Sequence, residues 1–275
     1  GYFLSSANSI NWGRVLPQIV YYISAYCDLL AQGAVTEGEP VNFCVPTGNF
    51  GNILSAFYAK EMGLPIGRLL CASNSNNVLT DFIATGKYDR NRPFYNTVSP
   101  SMDILISSNL ERLLYLLSGG DDKLVAGYMK ELSDTGCYQV SEEMRKKIQS
   151  VFVGGFSSEA ETEATIGKMM DEHKYLIDTH TAVAFHVLEQ YRKETGDQTK
   201  TVVASTASPF KFCDAVLDAL NVTDKATGTA LLDQLAEVSG MPAPQPLATL
   251  KDKQVRFTSW TEKEQMRAVV TDFLK

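Results

Sequence analysis

Val45-Pro46-Thr47-Gly48-Asn49-Phe50-Gly51-Asn52 is a glycine-rich turn set between a β-prone apolar run and a helical pattern, and its reading decides the fold. Ahead of it, Val41, Phe43 and Val45 alternate with Asn42 and Cys44, the spacing of a strand entering a sheet. Behind it, Ile53, Leu54, Phe57 and Tyr58 recur at helical spacing. A strand, a tight turn and a helix start in that order leave main-chain N–H groups unpaired and converging, where the helix dipole also favours an anion. Gly48 and Gly51 permit the close backbone approach that such a site needs. The stretch reads as a phosphate cradle, against the plainer alternative of a strand-to-helix turn that binds nothing. It fits neither G-x-G-x-x-G nor G-x-x-x-x-G-K-[ST], so dinucleotide and P-loop NTPase readings lose ground.

Outward from the cradle, Val15, Leu16, Ile19, Tyr22, Ile23, Tyr26 and Leu30 predict one amphipathic helix upstream, with Pro17 tolerated near its start. The cradle helix should stop near Gly63-Leu64-Pro65, and Arg68 to Ala72 predicts a second buried strand that delivers Ser73 to Asn77 at its carboxyl end. Open α/β sheets place ligands at such ends. From 86 to 175 the texture is helical with no clear strand series, which predicts a mainly helical insertion. A helix opening at Ile177-Asp178-Thr179-His180-Thr181, a strand from Thr201 to Ser205 and the turn Thr206 to Pro209 resume the core pattern. The expected organisation is an α/β core that carries the cradle, from 1–85 and 176–225, the insertion 86–175, and a C-terminal extension 226–275.

With 275 residues and 44% hydrophobic content, the chain can bury a substantial core. No apolar run reaches the roughly 18 residues of a membrane span, and no secretory signal pattern opens the chain, so a cytoplasmic location is expected. Cys27, Cys44, Cys71, Cys137 and Cys213 are odd in number and scattered, which predicts buried free thiols over disulfides or a metal site. His173, His180 and His186 have spacings to the cysteines that fit no metal site. A net charge of −7 argues against a general nucleic-acid surface. The first residues, Gly1-Tyr2, lack an initiator methionine, so the start is expected to lie inside a longer gene product or to carry a cloning scar.

Six polar segments punctuate the apolar elements: Ser6 to Arg14, Pro46 to Asn52, Asn74 to Leu79, Ser99 to Ile104, Asp178 to Ala184, and Ser205 to Phe212. Together, and in this order, they resemble threonine synthase, a pyridoxal-phosphate enzyme of the tryptophan synthase β-like fold (fold type II). The resemblance implies an open, mostly parallel sheet with flanking helices. It implies that Gly48, Asn49, Phe50, Gly51 and Asn52 bind the phosphate of pyridoxal 5′-phosphate through main-chain N–H groups. It places the hydroxyl of Thr206 opposite the pyridine nitrogen, where position alone suggests a turn or cap. Ser9, Asn11, Arg14 and Lys211 become candidates for the substrate phosphate, since a dianion takes charge-assisted donors; for Arg14 and Lys211 a solvated surface cation is the competing reading. His180 matches the family's histidine neighbourhood and is given no chemical role.

The departure that matters most is a missing lysine. The family's Schiff-base lysine lies in a Ser-Phe-Lys-Asp-like segment upstream of Ser-Ala-Asn-Ser-Ile-Asn, and no such segment occurs here. The chain is therefore expected to be a C-terminal portion with no catalytic lysine of its own, lacking an N-terminal domain and inactive alone. A smaller departure is Ser208 and Phe210, where many relatives have His and Ala. For the complete enzyme the resemblance implies conversion of O-phosphohomoserine and water to L-threonine and phosphate, the last step of threonine biosynthesis. Alternatives from other classes are a non-catalytic fragment that binds phosphate or pyridoxal phosphate, and another fold type II enzyme such as a threonine dehydratase. The Ser-Ala-Asn-Ser-Ile-Asn segment and the long insertion favour threonine synthase over the last.

Overall fold

The computed structural model describes residues 2, 3 and 5–275; Gly1, on which the expectation of an internal start rests, lies outside them. The chain divides into two compact units, 1–225 and 226–275. In the first, α1 (Trp12–Ala31) precedes β1 (Val41–Pro46), α2 (Gly51–Glu61), β2 (Ile66–Ser73) and α3 (Val78–Thr85). A two-stranded antiparallel ribbon pairs β3 (Lys87–Asp89) with β4 (Cys137–Gln139), around α4 (Leu110–Leu117) and α5 (Asp122–Thr135). Then follow α6 (Glu142–Val151), β5 (Phe152–Phe156), α7 (Glu159–His173), α8 (Thr179–Thr195), β6 (Thr201–Val203) and α9 (Cys213–Ala219). The main sheet has the order β5-β2-β1-β6, and every neighbouring pair in it is parallel. The expected α/β class with a parallel sheet and flanking helices is what the chain adopts.

Alternation in β1 does not mark a wet face. All six of its residues are buried, Asn42 and Cys44 included, because helices cover both sides of a parallel sheet. Val41, Phe43, Val45, Leu69 and Cys71 join one core with Ile53, Leu54 and Phe57 of α2. Cys44, Leu70 and Ala72 join a second with Val183, Val187 and Leu188 of α8.

Sequence reading placed no strand within 86–175, and here it needs correction. That segment supplies the ribbon strands and also β5, which pairs with β2 from Leu69↔Phe152 to Ser73↔Phe156. Glycines 154 and 155 hid β5, since glycine is depleted in strands. Tertiary packing requires them: a Cβ on Gly154 would lie 2.9 Å from the Thr80 Cα in α3, and one on Gly155 2.6 Å from a Val187 methyl in α8. Successive strand residues face opposite sides, so the two glycines let a helix settle close on each face.

Asn42 shifts the β1–β2 register between Val41 and Phe43. Its Oδ1 accepts the Arg68 N–H at 2.7 Å, and its Nδ2 donates to Asp197 Oδ2 at 2.9 Å. Asp197 also accepts from the Tyr191 hydroxyl at 2.7 Å and from Thr199 N–H at 2.8 Å, bonds that hold its carboxyl well below the usual range, those from Thr199 first. Because the folded pKa is depressed, this contribution is complete above about pH 4 and is lost as pH falls below it. Denaturant melts below pH 4 should therefore show a stability decline that Asp197→Asn flattens; an identical pH slope in the variant would exclude Asp197 as its source.

The second unit holds α10 (Ala230–Ser239), with Leu232 and Leu235 buried, α11 (Gln245–Ala248) and α12 (Met266–Phe273). Among the described residues no helix is long and apolar enough to cross a membrane, and no group of histidine, cysteine and carboxylate side chains is placed to hold a metal ion. All five cysteines are free; Cys44, Cys71 and Cys213 are buried, whereas Cys27 is exposed. Burial pushes the Cys71 thiol up to about 12, so it stays protonated.

Candidate functional site

Sheet topology places the site. The chain leaves β1 towards α2 on one face, while the segment after β6 leads to α9, which packs on α7 behind α8 on the other. Connections that part in this way open a crevice at the carboxyl ends of the two strands. The loops there are 47–52 and 204–206.

In the first loop the carbonyl groups are held by the protein and the N–H groups are not. Thr47 N–H donates to the Ala72 carbonyl at 2.8 Å, ending the ladder. Gly48 O accepts the Ser107 hydroxyl at 2.8 Å, and Asn49 O accepts both N–H and Nδ2 of Asn109, at 3.1 and 2.9 Å. Phe50 then takes a left-handed conformation, φ 64°, with its buried ring against Phe152. Such a conformation is uncommon for a bulky residue, and ring packing holds it. Among the described residues, the N–H groups from Gly48 to Ile53 donate to nothing, no side chain caps α2, and no acidic residue sits in its first turn. Phe50, Gly51 and Ile53 are buried, where an unpaired donor is costly unless a ligand or water answers it.

The glycines of the cradle have a different cause from the one the sequence suggested. A Cβ on Gly48 would lie 2.8 Å from the Ser101 carbonyl oxygen and 3.2 Å from the Met102 Cα; one on Gly51 would lie 2.8 Å from Ser9 Cβ. The close approach they permit is first of all that of the chain to itself. Sequence reading missed Ser107 and Asn109. A polar triplet before α4 resembles a helix cap, and partners 59 and 60 residues away leave no local trace.

Asn52 and Thr206 line one cavity of about 440 Å³, with Tyr22, Phe43, Ala204 and Ser205. Tyr22 donates its hydroxyl to Asn52 at 2.8 Å, and burial pushes its pKa upward, so it remains a neutral donor. Gln18 Oε1, from the same wall, is a buried acceptor without a partner among the described residues. Of the substrate candidates, Ser9 abuts Gly51 and its Oγ accepts Asn109 Nδ2 at 3.0 Å. Asn11 caps α1, accepting the Gly13 N–H at 2.9 Å. Arg14 is exposed and donates to the Ala7 carbonyl. Lys211 is exposed on the 3₁₀ turn Pro209–Lys211, and among the described residues no hydrogen bond joins it to the other three.

Asn74 to Asn77 serve the protein itself. Nδ2 of Asn74 donates to Asp103 Oδ1 at 2.8 Å, Nδ2 of Asn76 to the Tyr95 carbonyl at 2.9 Å, and Asn77 Oδ1 accepts from Arg92 at 3.0 Å, holding the 89–103 loop. His180, left without a role by the sequence, is buried at the start of α8. Its Nδ1 lies 3.0 Å from Asp178 Oδ1, and its Nε2 accepts the Ser101 N–H at 3.2 Å.

Residues 181–270 match the family model described as threonine synthase, C-terminal. Threonine synthase-like 1 from Homo sapiens is 46% identical over 88% of this chain and 32% of its own length. Threonine synthase from Saccharomyces cerevisiae is 38% identical over 79% of this chain and 45% of its own. The crystal structure of PLP-bound threonine synthase from Brucella melitensis superposes with a TM-score of 0.82 at 36% identity, covering 98% of this chain and 52% of that one. The chain is similar to the C-terminal part of the threonine synthases. The resemblance carried by the six polar segments is borne out, and so is the fold it implied. The chain spans between a third and about half the length of these relatives, and the match lies with their C-terminal part.

Proposed function

We propose that the 48–53 loop of this chain holds pyridoxal 5′-phosphate by its phosphate, and that the chain supplies the C-terminal half of an active site converting O-phosphohomoserine and water to L-threonine and phosphate. One observation carries the reading: a run of N–H groups, partly buried, donates to nothing among the described residues, while the carbonyls of Gly48 and Asn49 are tied back into the protein. A phosphate dianion offers the acceptors those donors lack, at the positive end of α2. When bound, the cofactor supplies an electron sink for carbanions next to the amino-acid nitrogen.

The remaining roles follow from chemistry and position. Thr206, in the cavity shared with Asn52, presents a neutral hydroxyl to the pyridine nitrogen. Ser9 and Asn11 carry neutral donors, now bonded to Asn8 Oδ1 at 3.3 Å and the Ser6 carbonyl at 2.8 Å, for which a substrate phosphate would compete, while Arg14 and Lys211 are the exposed cations that a dianion takes. No lysine lines the cavity among the described residues. The lysine that would carry the cofactor is assigned to the part of the relatives that this chain does not match, so the chain alone should form no threonine from O-phosphohomoserine. Turnover by the 275 residues alone would remove that assignment.

Binding tests the cradle directly. Pyridoxine 5′-phosphate, which has no aldehyde to react with surface lysines, should bind the chain at least about tenfold more tightly than pyridoxine. Titration calorimetry reads the difference, and equal affinities would overturn the reading.

A further inference from the structure

We propose that His180 is a positioning residue for the phosphate cradle, pinning the turn at Ser101 against Gly48 while protonated on Nδ1 and unprotonated on Nε2. The inference rests on the reading of the 48–53 loop as a phosphate site. A main-chain N–H can only donate, so the Ser101 N–H at 3.2 Å requires a lone pair on Nε2. The ring proton then sits on Nδ1, which lies 3.0 Å from the buried carboxylate of Asp178. The ring is also packed on Phe212, with centroids 4.8 Å apart. Every edge of the imidazole is thus used, and its orientation is set.

What the ring holds is the wall of the cradle. Ser101 is an exposed residue of a turn whose flanks, Ser99 and Met102, are buried, and His180 accepts the Ser101 N–H at the point where the turn meets Gly48. The Ser101 carbonyl and the Met102 Cα are the two groups that stand where a Gly48 side chain would be. The cluster reaches the other site segments as well. The Thr181 hydroxyl donates to Asp178 and lies 3.4 Å from the Ser205 hydroxyl, beside Thr206, while Phe212 follows Lys211. Two polar segments far apart in the chain, 99–104 and 205–212, are thereby referenced to one buried Asp178–His180–Thr181 group. A histidine that served only to cap or fill the core would affect folding alone; one that sets the cradle affects recognition of the phosphate.

The test compares pyridoxine 5′-phosphate with pyridoxine on the full 275-residue chain, so that the ratio of their dissociation constants reports the phosphate site alone. His180→Leu should lower that ratio by about tenfold while circular dichroism shows a folded chain. His180→Gln, whose Oε1 can accept the Ser101 N–H, should restore most of it. If His180→Leu does not fold, His180→Asn, too short to reach Ser101, takes its place. A ratio unchanged in the variant lacking the acceptor, or lowered equally in His180→Gln, overturns the proposal. Two-bond nitrogen–proton NMR on the wild-type chain gives an independent reading: a proton on Nδ1 alone is expected, and a proton on Nε2 overturns it. Wild-type chain with no preference for the phosphorylated ligand would sink the cradle reading and this inference together. A preference that His180→Leu retains would sink this inference and leave the cradle standing.

Discussion

Gly48→Ala should weaken binding of pyridoxine 5′-phosphate at least about tenfold, with a smaller change for pyridoxine. The added Cβ would stand 2.8 Å from the Ser101 carbonyl oxygen and 3.2 Å from the Met102 Cα. Both are main-chain groups, so no side chain can swing aside. Overpacking of this kind typically costs about 1–3 kcal/mol. Either the 99–103 turn retreats or the cradle does, and in both cases the N–H groups from Gly48 to Ile53 lose their common aim. Gly48→Asp should go further and abolish detectable binding, since its larger side chain has no room against the 99–103 turn and brings a negative charge next to the cradle. Unchanged affinity in Gly48→Ala would show that the loop tolerates a shift of several tenths of an ångström, and that its geometry does not set phosphate recognition.

Asp178→Ala should lower stability by about 3–5 kcal/mol, the largest loss expected from a single polar truncation here. Asp178 is fully buried, and its Oδ1 accepts the N–H groups of His180 and Thr181 as the cap of α8. The same carboxylate accepts hydrogen bonds from His180 Nδ1–H and from the Thr181 hydroxyl. Cap loss contributes about 0.5–2 kcal/mol, and each buried donor left unpaired adds roughly 1–3 kcal/mol. Asp178→Asn keeps the cap acceptor and should lose less than half as much. Urea unfolding followed by circular dichroism measures both; a loss below about 1 kcal/mol in Asp178→Ala would show that water replaces the carboxylate, against its burial.

Elements that carry their own signals were legible in the sequence. Helix α1 announced itself by apolar spacing from Val15 to Leu30. The cradle was legible as strand, glycine turn and helix start, because turn chemistry is written in adjacent residues. Strand β5 was illegible for the opposite reason. Gly154 and Gly155 are selected by helices lying above and below them, 74 residues before and 32 after, and local propensity points away from a strand.

The same division runs through the candidate site. Gly48 to Asn52, Ser9 and Thr206 could be named in advance, since glycines in a turn and hydroxyls at element ends are local features, and the resemblance tied them together. Ser107 and Asn109, which hold the cradle carbonyls, could not be named. Nor could the partners of Asn74 and Asn76 or the contact from His180 to Ser101, because each is a hydrogen bond between segments separated by many residues.

By itself, the sequence determined the α/β class, the order of the main helices and strands, and the family from which six polar segments come. Only the tertiary structure decided which atoms of those segments are already engaged and which are left to bind. Secondary structure follows from residues close in the chain, whereas satisfying a buried polar group depends on what the fold brings within about 3 Å of it.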